Sequence, residues 1–250
     1  MTHFKDHFSS QAAGYATYRP SYPPELVDYL ADLCPATTRA LDCGCGTGQL
    51  AVLLARRFEQ VIATDASAQQ IENAEPHARV TYRVAPAERS GLPDASVNLI
   101  VAAQAAHWFD LPAFYDEARR VGRQDAVLAL VTYGIMRADG AIDPIIQNFY
   151  WNVIGPYWPP ERRHVEEGYR AFAFPFEEIP APAMAIRVSW TLDDFVGYVD
   201  TWSAVRGAER ALGRSPVEDF RRDLGAVWSD PAARRAIDFP LSLRVGRISG

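Results

Sequence analysis

The chain is short of cysteine. Only three occur among 250 residues, Cys34, Cys43 and Cys45. Cys43 and Cys45 fall inside a glycine loop and no second ligand pair follows, so a zinc site or other metal centre is not expected. They read as small, reduced residues of a cytosolic protein. Long apolar runs are also missing, and none reaches the ~20 residues that a membrane helix needs. The opening stretch from Met1 to Gln11 is polar and has no apolar segment of signal-peptide type. Positive charge is scarce. The net charge is -6, and arginine pairs such as Arg162-Arg163, Arg221-Arg222 and Arg234-Arg235 are scattered. Without a basic stripe, nucleic acid is not an expected partner. There is no internal repeat and no low-complexity tract. A cytoplasmic protein with a small-molecule partner is therefore expected, with its oligomeric state left open.

Apolar residues are plentiful, at 48% of the chain, enough for one sizeable core with a small cap. Over 23–33, Pro23 and Pro24 suit a first helical turn, and Leu26, Tyr29, Leu30 and Leu33 share a face. Arg39 to Cys43 is short, apolar and followed by glycines, so it reads as a buried strand. A helix follows with Leu50, Leu53, Leu54 and Phe58 on one side. Val61 to Thr64 is the next strand and ends at Asp65. Val80 to Val84, Val97 to Ala103 and Ala126 to Tyr133 are further strands. Asp110 caps a helix running to about Val121, with Pro112 in its first turn. Alternating strands and helices are the pattern of a parallel sheet covered on both faces.

The alternation stops after residue 134. Residues 137–175 are rich in aromatics and prolines and read as a helical cap, with a mobile lid expected there. Met184 to Trp190 is a strand. Thr191 caps a helix, with Asp194 at the capping-box position, and Ser215, Pro216 and Glu218 start another in the same way. Leu241, Leu243 and Val245 alternate in a closing strand. The expected organisation is one domain over 1–250. Its core is 39–134, its cap pieces are 137–175 and 191–236, and its closing strand is 237–250.

The chemistry concentrates in Leu41-Asp42-Cys43-Gly44-Cys45-Gly46-Thr47-Gly48-Gln49. A glycine loop between strand and helix lets backbone approach a ligand closely, and the helix start supplies free N–H groups. About 20 residues after the first glycine, Asp65 ends the second strand, where a carboxylate can accept both hydrogen bonds of a ribose diol. The dinucleotide fingerprint G-x-G-x-x-G shares this logic. Here Gln49 stands where its third glycine would be. Asp42, two residues before the loop, suits an ammonium group and repels pyrophosphate. A cofactor with an amino-acid end and an adenosine end fits better than NAD.

D-x-G-x-G-x-G, followed by the acid in Ala63-Thr64-Asp65-Ala66-Ser67, resembles the first two motifs of class I S-adenosylmethionine-dependent methyltransferases. The resemblance implies an α/β fold with a doubly wound, mostly parallel sheet of about seven strands. It implies S-adenosylmethionine as cofactor, with the Asp42–Gly48 loop on the methionine part, Asp65 on the ribose and Ala66 beside adenine. Ala85-Pro86-Ala87-Glu88 resembles the third motif, with Pro86 replacing an aspartate, so the Ala87 N–H or Glu88 takes over the adenine contact. Gln104-Ala105-Ala106-His107-Trp108-Phe109 follows the fourth strand and should rise beside the transferred methyl group. With Tyr15-Ala16-Thr17-Tyr18-Arg19-Pro20 and Thr201-Trp202-Ser203-Ala204, it resembles small-molecule methyltransferases that include the trans-aconitate group. The likeness spans nearly the whole chain and is strongest over 8–110. It implies that residues 1–38 fold over the cofactor, with Tyr15 and Arg19 on its carboxylate. His107 then orients or deprotonates the acceptor and Trp108 walls the pocket, or both are structural.

Trp151, Trp158, Trp190 and Trp202 can line a chamber or fill core, and Trp202 is the one expected near the site. A small organic acid methylated on a carboxylate oxygen is the expected acceptor, with Arg137 and Arg206 as candidate anchors. A phenol or amine acceptor, a nicotinamide-dependent oxidoreductase and a non-catalytic cofactor-binding protein are the alternatives.

Overall fold

Five strands lie parallel in a computed structural model that describes residues 20–248. They are β1 (Arg39–Cys43), β2 (Gln60–Asp65), β3 (Val80–Val84), β4 (Val97–Ala103) and β5 (Gly122–Tyr133). Their order is β3-β2-β1-β4-β5. The order reverses at β1, so the carboxyl ends of β1 and β4 flank the crevice where open α/β sheets bind ligands. Every residue of β4 is buried. Leu99, Val101 and Ala103 join one apolar layer, whereas Ile100 and Ala102 join the other. That alternation is the two-residue period of a strand covered on both faces.

Helix α1 (Pro24–Leu33) buries Leu26, Val27 and Leu30. Helix α2 (Gln49–Leu54) is shorter than the apolar spacing suggests. The chain leaves it in a turn that still buries Phe58 completely. A short α3 (Ala68–Glu72) follows β2. Asp110 caps α4 (Leu111–Val121), its carboxylate accepting from Ala113 N at 3.4 Å.

Among the described residues the sheet has nine strands, two more than the seven expected, and those beyond β5 pair antiparallel. The closing strand β9 (Arg235–Arg247) is the reason. Its second half pairs with β5, from Leu241 opposite Tyr133 to Arg247 opposite Val127. Its first half pairs with β8 (Ala185–Trp190) up to Pro240 opposite Ala185. Proline has no N–H for a ladder, and the strand changes partner there. β6 (Arg137–Ala138) and β7 (Glu177–Glu178) are two-residue additions to β9.

The cap contains α5 (Ile142–Asn148), a π-helical turn at Phe149–Val153, and α6 (Arg162–Glu166). After β8 come α7 (Leu192–Asp200), α8 (Ser203–Leu212) and α9 (Val217–Trp228). Thr191 and Asp194 form the expected capping box on α7, at 3.0 and 3.2 Å. Ser215 departs from that pattern, because its hydroxyl accepts from Val217 N, two residues on, and not from the third helical residue. Phe149 stacks on Phe220 at 4.2 Å and joins the cap to α9. Among the described residues, no helix is long and apolar enough to cross a membrane.

Candidate active site

At the end of β1 the chain folds back over β2. Gly44 N and Cys45 N both donate to Thr64 O, at 2.7 and 3.0 Å. Gly46 N donates to Asp65 Oδ2 at 2.9 Å, and Ser67 N to Asp65 Oδ1 at 2.8 Å. The Asp65 carboxylate thus fixes both the glycine loop and the start of α3. A carboxylate has about four acceptor positions, so two remain for a further ligand. Asp42 lies buried at the base of the loop, and Ala66 is exposed at its rim.

Gly44, Gly46 and Gly48 have φ of 69°, 56° and 89°, the left-handed region that L side chains avoid. Two of them also have no room for a side chain. A Cβ on Gly44 would lie 2.5 Å from Ala105 Cβ, and one on Gly48 only 2.2 Å from the Tyr82 hydroxyl. The buried Gln49 Oε1 has no hydrogen-bond partner among the described residues. Bare backbone, a doubly used acid with spare acceptors and an orphaned buried oxygen fit a cofactor that carries both amino-acid and ribose groups. Cys43 and Cys45 are buried free thiols. Burial first, and then the Asp42 charge, raise their pKa values far above the ordinary range. Such thiols stay protonated and unreactive. Among the described residues no group of three or more His, Cys, Asp or Glu side chains is placed to hold a metal.

Ala87 is buried on the loop after β3. Glu88 reaches across and accepts from Asp110 N at 2.8 Å, tying that loop to the turn that carries His107 and Trp108. Gln104 ends β4 at φ 55°, rare for a residue with a Cβ. Its partners hold it there. Its N donates to Val131 O at 2.8 Å, its Nε2 to Tyr133 O at 2.8 Å, and its Oε1 accepts from Thr132 at 2.7 Å. Strain held this way by its surroundings is typical of functional turns.

His107 sits on the following 3-10 turn, Ala106–Trp108, its Nδ1 2.8 Å from the Tyr169 hydroxyl and its ring 4.8 Å from Trp108. Burial pushes its pKa down to about 3, helped by electrostatic repulsion from Arg162 and, less, from the neighbouring His164. The imidazole is therefore neutral near pH 7.

The structure brings Asp42, Gly44, Gly46, Gly48, Asp65 and Ala66 together at the β1 and β2 ends. It brings Gln104, His107 and Trp108 together at the β4 end. Tyr15 and Arg19 lie outside the described residues. Trp202 belongs to an aromatic cluster with Tyr150, Trp158 and Tyr198, at ring distances of 5.6, 5.7 and 5.7 Å. Arg137 and Arg206 are surface residues already committed to carboxylates. Arg137 pairs with Asp143, and Arg206 with Asp200 and Glu209. Sequence reasoning missed Tyr169, Thr132 and Arg162, which come from outside the recognised motifs.

Comparison with known proteins identifies the family. The family described as methyltransferase domain matches residues 41–130, the stretch from the glycine loop to the middle of β5. A protein named as a methyltransferase in Dictyostelium discoideum is 35% identical over 89% of this chain and 86% of its own. A solved structure named as a type II methyltransferase of Anaeromyxobacter dehalogenans is 47% identical. It covers 93% of this chain and 99% of its own, with a TM-score of 0.90. A malonyl-[acyl-carrier protein] O-methyltransferase of Dechloromonas aromatica is 35% identical over 44% of this chain and 41% of its own. With this loop, this strand order and full-length likeness, the chain belongs to the class I S-adenosylmethionine-dependent methyltransferases.

Proposed function

We propose that this methyltransferase acts on a small organic acid and methylates a carboxylate oxygen, as its resemblance to the trans-aconitate group implies. The observation that carries the reading is the state of His107. A base works best with a pKa near the operating pH. An imidazole pushed down to about 3 is a poor base for a phenol, whose pKa is about 10. A carboxylate is already ionised at neutral pH and needs alignment and desolvation but no deprotonation. The malonyl-[acyl-carrier protein] relative, an O-methyltransferase by name, lends support over the 44% of this chain that it matches.

S-adenosylmethionine, when bound, supplies a methyl group on a sulfonium, so the acceptor needs only an electron pair and alignment. In this reading the Asp42–Gly48 loop takes the amino-acid end, Asp65 the ribose diol, and Ala66, Ala87 and Glu88 the adenine. Gln104, fastened to β5, sets the turn that presents His107. His107 orients the acceptor as a neutral hydrogen-bonding group and Trp108 walls it from water.

The test is release of S-adenosylhomocysteine over a library of acids, phenols and amines, then a pH series with the best acceptor. A carboxylate acceptor gives a rate nearly flat from about pH 6.5 to 9, with His107→Ala changing its height and not its shape. A rate that climbs with pH, and loses that limb in His107→Ala, refutes the carboxylate reading.

A further inference from the structure

Arg162 is the cation nearest in chemistry to an unfinished site. It opens α6, the short cap helix that packs against the His107 turn. Its Nε donates to the Tyr150 hydroxyl at 2.8 Å, and that hydroxyl donates in turn to Glu166 Oε1 at 2.8 Å. Its guanidinium carbon lies 4.7 Å from the centre of the Trp158 ring and 5.7 Å from that of Tyr150. Stacking on indole holds a guanidinium plane while leaving its edge open. Among the described residues, Nη1 and Nη2 have no hydrogen bond, and no carboxylate comes within ion-pair distance of them. Glu166, the acid four residues on, is used by Tyr150 instead. The Trp158 indole N–H beside it is buried and has no partner among the described residues either, an unfavourable arrangement that a ligand would complete.

The helix that carries this arginine packs against the His107 turn, and the arginine's field reaches both His107 and Tyr169, so the group lies near the turn beyond β4. Trp202 packs edge-on to Tyr150 and against Trp158, which places it behind the same group. Three donor groups without a partner among the described residues, no acid within ion-pair distance and an aromatic backing are the chemistry of an oxyanion receptor, although the Glu166 charge is felt at Arg162. The planar fork matches a carboxylate through two parallel bonds.

We propose that Arg162 anchors a carboxylate of the methyl acceptor, with the Trp158 indole N–H as an additional donor. The proposal rests on the carboxylate reading above and moves the anchor from Arg137 and Arg206 to the cap helix.

Malonate, tricarballylate and trans-aconitate are titrated into protein saturated with S-adenosylhomocysteine, and tryptophan fluorescence follows binding. At least one acid saturates the wild type. Arg162→Gln weakens it at least tenfold, Arg162→Lys restores part of the loss, and affinity for S-adenosylhomocysteine is unchanged in both. Failure of every acid to saturate, or equal affinity in Arg162→Gln, overturns the proposal. If Arg162→Gln does not fold, the wild type still decides. Phenylglyoxal modification of Arg162, read by peptide mapping, slows when acid is bound, and an unchanged rate overturns the proposal. The two readings fail separately. Acid bound through Arg162 while only phenols or amines are methylated keeps the anchor and removes the carboxylate nucleophile. An acid methylated with unchanged KM in Arg162→Gln does the reverse.

Discussion

Acidification tests the electrostatics around His107 directly. The folded pKa is pushed down to about 3 by burial and by Arg162 and His164, whereas a histidine in the unfolded chain titrates near 6.5. Between these values the unfolded chain binds a proton that the folded protein refuses. The stability tied to a neutral His107 is therefore complete above about pH 6.5 and falls as pH drops towards the folded value. One proton costs about 1.4 kcal/mol per pH unit in that window, so the drop from pH 6.5 to 5 removes about 2 kcal/mol. His107 is only half-buried, which makes this figure a ceiling. In a chain of this size it corresponds to a fall in Tm of about 4–8 °C. The assay is a set of thermal melts of wild type and His107→Gln across that range, with NMR of the imidazole carbons. The wild type should lose the extra stability, and the variant should show a flatter profile. Identical pH slopes in the two proteins, or a His107 signal titrating near 6.5, would refute the reasoning.

Asp65→Ala should weaken S-adenosylmethionine binding at least tenfold, about 1.4 kcal/mol, by calorimetry; unchanged affinity in a folded variant removes Asp65 from the site. Gly48→Ala combines φ 89° with a Cβ 2.2 Å from the Tyr82 hydroxyl. It should lower stability by about 1–3 kcal/mol and abolish cofactor binding, with Tyr82→Ala recovering part of the stability; a wild-type melting curve would contradict this. Residues 137–175 should gain hydrogen-exchange protection when S-adenosylhomocysteine and an acid are both bound, and equal protection in every state would make the segment a rigid cap.

The inner strands were legible because they obey one rule. Arg39 to Cys43 and Val97 to Ala103 are short apolar runs closed by turn residues, and both have the expected ends, as does Val80 to Val84, a partly exposed strand at the sheet edge. Burial on both faces leaves a strand no choice of residue type, so composition alone marks it. The Thr191 capping box was legible for a local reason, since both of its bonds lie within four residues. The closing strand was legible from its alternation, but the partner of its first half was not, because that half pairs with β8 and nothing within Arg235 to Pro240 announces it. The glycine loop combined both kinds of signal. Its positive φ values require glycine whatever surrounds it, while the clash of Gly44 with Ala105 comes from the turn after β4, far away in sequence.

Arg162 and Arg163 show where sequence stops being informative. Each precedes a glutamate by four residues, and by helix geometry each reads as a solvated ion pair. Arg163 is one, bonded to Glu167 at 2.7 Å with 78% of its side chain exposed. Arg162 is not, because the Tyr150 hydroxyl, twelve residues earlier and wholly buried, stands between its Nε and Glu166. The tyrosine satisfies the acid and one edge of the guanidinium, and Trp158 covers its face. What remains is a charge that its own helix does not neutralise, beside a histidine that it helps to keep neutral. In the proposed reading a bound carboxylate would meet the Arg162 cation beside an uncharged His107. Two adjacent arginines thus take opposite roles through one phenol that only the tertiary fold brings within reach.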